Sequence, residues 1–99
     1  MSEKLLKQPN EAYTIAFEFA GKLPSGASLS TGTVSAIRLD TGATDNSVLA
    51  STTATIVGTQ ARVKIQAGTS GVDYEVTFLV TLSTGDVLEE DVIMQVINL

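Results

Sequence analysis

The chain has 99 residues, a formal net charge of −5, and neither cysteine nor histidine. Without these two residue types there is no thiolate nucleophile, no imidazole general base and no nitrogen or sulfur ligand for zinc. The six basic residues are scattered along the chain, whereas nucleic acid and anionic membranes require a concentrated basic surface. We therefore expect no catalytic residue, no cofactor, no metal, and no binding to nucleic acid or membranes.

The composition favours a single β-rich domain. Ten valines, six isoleucines and thirteen threonines are residue types that fit a pleated, half-buried surface. Only 17% of the residues are charged, so much of the polar surface must consist of threonine and serine hydroxyls. A surface of this kind resembles an interface more than the exterior of a free monomer.

Residues 1–12 are predicted to form an N-terminal arm that is either flexible or docked on a neighbouring protein, because Pro9 interrupts it. Segment 2–7 could form one helical turn, although isolated helices this short are marginal in water. Its apolar part is limited to Leu5 and Leu6, which is too short for a signal peptide. We therefore expect synthesis in the cytoplasm. Two leucines without a local core need a partner, so we predict that Leu5 and Leu6 form a contact arm.

Residues 13–99 are predicted to form one domain. Alternation of apolar and polar residues, separated by turn signals, indicates strands rather than helices. The predicted strands cover residues 13–20, 34–39, 53–57, 61–67, 74–82 and 87–97. Between them, Gly21 to Thr33 is predicted to be a long connection and Gly68 to Gly71 a tight hairpin turn. The fold class is all-β, a single Ig-like antiparallel β-sandwich of about six to seven strands.

The most acidic segment is Glu89-Glu90-Asp91, near the C-terminus. In a strand only Glu89 and Asp91 would share a face, so two carboxylates converge. Calcium needs six or more oxygen ligands, and a glycosidase pair needs a pocket. We therefore favour a charged guard on an exposed strand that discourages edge-to-edge pairing.

Other candidate sites have structural explanations. Asp40, Asp45 and Asn46 lack the spacing of a calcium loop and suit turns. The five aromatic residues fall on alternating positions of predicted strands, which favours core packing over a carbohydrate-stacking platform. They are Tyr13, Phe17, Phe19, Tyr74 and Phe78.

Three segments have a recognisable order of residues. Ala67 to Thr77 contains a glycine-bounded polar turn followed by Tyr-Glu-Val, and Val80 to Glu90 contains Val-Thr, a polar-glycine turn and an acidic return strand. Pro9 to Ile15 forms a proline–acidic lead into the first predicted strand. Together these segments resemble the small Ig-like virion proteins of tailed bacteriophages, in particular fiber–tail adaptor or neck-type proteins.

The resemblance implies a non-enzymatic structural component at the neck, tail or fiber junction of a virion. Its implied partners are other tail, neck or fiber proteins and copies of the chain itself in a symmetric ring. Two alternatives remain open on sequence, a phage capsid decoration protein and a bacterial Ig-like adhesion or binding module.

Overall fold

The computed structural model describes residues 3–98. Within this range the chain forms seven strands and two short 3-10 turns, the latter at Ala20–Lys22 and Asn46–Val48. The strands are β1 Glu3–Lys7, β2 Tyr13–Glu18, β3 Leu29–Arg38, β4 Thr55–Val57, β5 Gln60–Ile65, β6 Asp73–Leu82 and β7 Val87–Val96. No helix in the described range is long and apolar enough to cross a membrane.

The strands form two sheets, in the orders β1-β7-β6-β3 and β2-β5-β4. The third, sixth and seventh strands thus oppose the second, fourth and fifth, which is the connectivity of immunoglobulin domains. Strand β1 lies beside β7 rather than beside β2, and this pair is parallel, whereas the other strand pairs are antiparallel. The predicted all-β Ig-like sandwich of about six to seven strands is confirmed, with seven strands.

Alternation along β6 and β7 builds most of the core. The even-numbered residues of β6, from Tyr74 to Leu82, are buried, as are Val92, Met94 and Val96 of β7. Across the sandwich Phe17 packs edge-to-face against Phe78 with ring centroids 4.9 Å apart. The odd-numbered residues of these two strands consequently point to the outer surface of the sheet.

The segment 66–72 carries the chain from one sheet to the other. Gly68 to Gly71, within this segment, is predicted from sequence to be a hairpin turn, and this is wrong because β5 and β6 lie in different sheets. Tyr74 at the start of β6 is 1% exposed, and its Oη accepts a hydrogen bond from the backbone N–H of Thr69 at 3.0 Å. This is the tyrosine corner of Ig-like sandwiches. Gly68 has φ of +102°, and a Cβ there would lie 2.8 Å from Val96 Cγ2.

The possible helical turn over residues 2–7 is wrong for the described part of that segment, because residues 3–7 form strand β1. Its register with β7 runs from Glu3 opposite Val92 to Lys7 opposite Val96. The backbone N–H of Ile97 extends the pairing by donating to the Lys7 carbonyl at 2.9 Å. Sheet pairing with β7 outweighs the weak local helix preference because an isolated turn of helix has few stabilising contacts.

Lys7 is fully buried at the end of β1. Its Nζ donates to the carbonyl oxygens of Gln8 at 2.8 Å and Pro9 at 3.3 Å, and also to that of Ala67. Burial lowers the pKa of Lys7, and the nearby Glu11 carboxylate opposes that change. Since Ala67 belongs to the corner before β6, this ammonium group ties the N-terminal strand to the body of the sandwich.

Strand β3 begins earlier than predicted and includes residues that were assigned to the long connection. The structure pairs Leu29 with Leu82 and shifts register between Leu29 and Thr31. Gly32 falls within the predicted long connection, but it lies in β3 and permits close packing. A Cβ at Gly32 would lie 3.1 Å from the Cβ of Ala54.

Candidate functional site

The acidic triplet of β7 does not guard a sheet edge. Strand β7 lies between β1 and β6, so the interpretation as a guard against edge-to-edge pairing is wrong. Glu90 points to the inner side at the margin of the sandwich and forms a salt bridge with Lys22. Glu89 and Asp91 point outward, because Val92 and Met94 alternate with them into the core.

The outer surface of the four-stranded sheet is acidic, and we call it the acidic face. It carries carboxylates on the two central strands and one ammonium group on β1. These charged residues are Asp73, Glu75, Glu89, Asp91 and Lys4. Exposed apolar side chains lie among them, including Leu79, which is opposite Glu89 and 43% exposed. Asp91 Oδ1 is covered by neighbouring atoms and has no hydrogen-bond partner among the described residues.

The outer surface of the three-stranded sheet contains an open groove of about 350 Å³, which we call the basic groove. Its lining residues are Thr14, Ala50, Ser51, Thr53, Thr55, Val57, Arg62, Val63 and Lys64. The lining includes two cations and several hydroxyls but no carboxylate. The Arg62 guanidinium is held by Gln60, whose Oε1 accepts from Nε at 3.0 Å and from Nη2 at 2.7 Å.

Two of the other four basic residues form a salt bridge within the described chain, whereas the cations of the groove form none. Lys22 pairs with Glu90, and Arg38 pairs with Asp40. The Arg38 guanidinium lowers the pKa of the Asp40 carboxyl through their hydrogen bonds. Neither Arg62 nor Lys64 forms a salt bridge with any residue in the described part of the chain. Their charges are therefore available to a group from outside the chain.

The predicted loop residues Asp40, Asp45 and Asn46 each have hydrogen-bond partners within the described chain. Asp40 binds Arg38 through two hydrogen bonds of 3.1 and 2.9 Å. Asp45 Oδ1 accepts from the backbone N–H of Ser47 at 3.1 Å and caps the 3-10 turn. Asn46 Oδ1 accepts from the backbone N–H of Ala36 at 2.9 Å. Between residues 3 and 98 no group of three or more carboxylates is arranged to hold a metal ion.

The predicted contact residues Leu5 and Leu6 lie on opposite sides of strand β1. Leu5 packs against the core, whereas Leu6 is 50% exposed. The Leu6 carbonyl accepts a hydrogen bond of 3.3 Å from Tyr13 Oη. Tyr13 itself lies at the surface rather than in the core, so the predicted core role of the aromatic residues is wrong at this position.

The alternation of β5 places Arg62 and Lys64 on the solvent-facing side, but that alternation does not indicate the groove. The reason is the segment 49–54, which has no regular strand yet lies beside the C-terminal half of β5. Ala50 donates its N–H to the Lys64 carbonyl at 2.9 Å. In the sequence, the groove is indicated only by the presence of two basic residues shortly after a Ser- and Thr-rich segment.

A family model matches most of the chain. The family is described as podophage GP4 fiber-tail adaptor protein gp77, and the match covers residues 7–95. It extends from the last residue of β1 almost to the end of β7, so it contains the residues of the basic groove and the acidic residues of β6 and β7. A search among curated proteins finds no match. The family match confirms the resemblance to phage fiber–tail adaptors.

Proposed function

The chain belongs to the podophage fiber–tail adaptor family, and from this membership we propose that it joins tail fibers to the tail of the virion through subunit–subunit contacts. The observation that carries the proposal is the family match over residues 7–95. A structural role agrees with a sandwich whose notable surface features are an open groove and a charged face. The work of such a protein is to hold neighbours in fixed positions rather than to transform a substrate.

The proposed partners are tail and fiber proteins together with copies of this chain in a symmetric ring. Closed rotational symmetry is the usual arrangement of homo-oligomers, and it offers repeated attachment points. The N-terminal strand would contribute to these contacts. Leu6 supports this role because half of its surface is exposed beside the free edge of β1. Leu5 supports it indirectly by fixing β1 to the core.

The proposed location is the virion, at the tail–fiber junction. A direct test is to grow phage in which the gene carries a nonsense codon, with and without a suppressor strain. Particles made without the protein should retain filled capsids and lack tail fibers, and their adsorption to host cells should fall strongly. Electron micrographs and mass spectrometry of the purified particles would measure both outcomes.

Three results would contradict the proposal. Fully fibered particles without this chain would exclude an adaptor role. Particles that keep their fibers but lose protein from the capsid shell would identify a decoration protein instead. Absence of the chain from wild-type particles would favour a free binding module.

A further inference from the structure

We infer that adjacent copies of this chain contact each other face to back, with the acidic face of one copy seated on the basic groove of the next. The inference rests on the proposed function, because a ring of copies is part of it. It adds the two surfaces, their orientation and the residues that recognise each other. The occupant of the basic groove is thus a second copy of the chain.

Charge complementarity is the first argument. The acidic face carries four carboxylates and one ammonium group. The opposite surface presents Arg62 and Lys64 in the groove, with Glu18 as the one carboxylate on that outer surface of the described strands. Potentials of opposite sign across an interface steer association and fix its register. A chain with net charge −5 would otherwise repel its own copies.

The spacing of the charges is the second argument. Arg62 and Lys64 are two residues apart on β5, and Glu89 and Asp91 are two residues apart on β7. Side chains at positions i and i+2 of a strand point to the same side, about 6.7 Å apart. The two pairs therefore have the same spacing, and two ion pairs can form together when the strands lie alongside each other.

The pair Glu89 and Asp91 differs from the other outward-facing acidic pair, Asp73 and Glu75, because of one atom of Asp91. Its Oδ1 atom has no hydrogen-bond partner within the described chain. A carboxylate oxygen left without a partner is costly, and charged donors satisfy it best. A small rotation of the Asp91 side chain would bring the carboxylate to a guanidinium or ammonium group from a neighbouring copy.

Apolar residues accompany the charges on both surfaces. Leu79 lies opposite Glu89 and is 43% exposed. Val57 lines the basic groove beside Arg62 and is 44% exposed. With the charged pairs aligned, the groove offers an apolar wall to Leu79. The contact would thus bury apolar surface at its centre with charges around it, as protein interfaces do.

The position of the two surfaces determines the kind of assembly. They are on opposite sides of the sandwich, so the contact uses two different patches and repeats from copy to copy. Such heterologous contacts close into rings when the rotation between copies permits. The molecule measures 44 by 23 by 22 Å, and the area of a 44 by 23 Å side is comparable to the roughly 800 Å² that each partner buries in a standard interface.

Chemical cross-linking tests the contact, because the chain has no cysteine. The variants are Thr55→Cys in the groove, Thr77→Cys on the acidic face, and both together, so every charged residue is kept. A short bismaleimide linker is added to the concentrated purified protein and to virions that carry the variant. The double variant should give trimers and longer chains, whereas either single variant should stay monomeric.

Charge reversal then identifies the residues. Replacement Glu89→Lys with Asp91→Lys in the double-cysteine protein should lower the yield of cross-linked chains about tenfold or more. Adding Arg62→Glu and Lys64→Glu to the same protein should restore the yield, because both surfaces are then reversed. Asp86→Lys in the exposed β6–β7 turn is the matched control and should leave the yield unchanged.

Three outcomes would overturn the inference. In the first, a single-cysteine variant is cross-linked as efficiently as the double variant. In the second, the double variant is not cross-linked in solution or in virions. In the third, reversing the charges on both surfaces does not restore the yield of cross-linked chains. Virions that keep their fibers despite such a result would leave the adaptor function intact. Loss of the wild-type chain from virions would instead contradict the adaptor function itself.

Discussion

The two outer surfaces of the sandwich are built differently. The carboxylates of the acidic face lie on β6 and β7, which are regular ten-residue strands, so they stand in straight rows. The basic groove lies where β4 has only three residues and the irregular segment 49–54 completes the surface beside β5. The same alternation that fills the core leaves every second residue outside. The fold therefore constrains the inner residues strongly, while the outer residues are available for recognition.

The largest expected effect contrasts adjacent residues on the inside and outside of β6. Phe78→Ala should lower the free energy of unfolding by about 3–5 kcal/mol, because a buried aromatic ring leaves a cavity. Leu79→Ala, one residue along, should change it by less than about 0.5 kcal/mol. Urea denaturation measures both. If Leu79→Ala were as costly as Phe78→Ala, its side chain would have a role in the folded monomer rather than in a contact.

A second contrast compares a buried lysine with a groove lysine. Lys7→Met should cost about 1–3 kcal/mol, because three carbonyl oxygens lose a charged donor. Hydrogen exchange should show the loss in β1 and the corner near Ala67. Lys64→Met should leave stability within about 0.5 kcal/mol and reduce only association between copies. An equal loss of stability in both variants would contradict the assigned roles.

Tyr74→Phe removes one hydroxyl from the corner before β6. The Thr69 N–H then loses its acceptor, so we expect a decrease of about 1 kcal/mol in the free energy of unfolding. Thermal denaturation would measure it. Tyr13→Phe is the surface control, since its hydroxyl makes a long bond of 3.3 Å to an exposed carbonyl, and it should have a smaller effect. The reverse order would argue against a structural corner at Tyr74.

A smaller effect should appear in the pH dependence of stability. Burial lowers the pKa of Lys7 in the folded protein, so the unfolded chain binds more protons than the folded one just below the ordinary lysine pKa. Stability from this group therefore rises as the pH increases through the folded pKa toward about 10.5. Tyr13, whose pKa is raised by burial, acts in the opposite direction in the same range.

The contribution of Lys7 to this pH dependence can be isolated by comparing wild type with Lys7→Met. The quantity compared is the free energy of unfolding at several alkaline pH values. The stability advantage of the wild type over the variant should increase as the pH rises. Urea denaturation at several pH values would measure it. A difference that does not change with pH, or that decreases, would contradict a lowered pKa at Lys7.

The strands that the sequence predicted correctly are those in which apolar residues alternate without interruption. Strand β6 meets this condition throughout and β7 meets it from Val92 to Val96, and their short connection specifies the antiparallel pairing. Strand β1 does not meet it, because one of its inward residues is Lys7, a residue type that is almost never fully buried. Its parallel partner also lies about ninety residues away along the chain, beyond any local pattern.

The candidate site was less predictable than the fold for a related reason. The separate charges on β5 and β7 are visible in the sequence, and so is their alternation. Which surface each one shares depends on the strand order in the two sheets, and the groove depends on an irregular segment. The partnerless oxygen of Asp91 appears only when the side chains are packed.

Copies of this adaptor should meet through opposite surfaces of the sandwich. Cryo-electron microscopy of the tail of intact particles, at a resolution that shows side chains, tests this most directly. We expect a ring in which Arg62 and Lys64 of each copy lie within ion-pair distance of Glu89 and Asp91 of the next. A ring in which like surfaces meet, or in which the basic groove faces solvent, would contradict it.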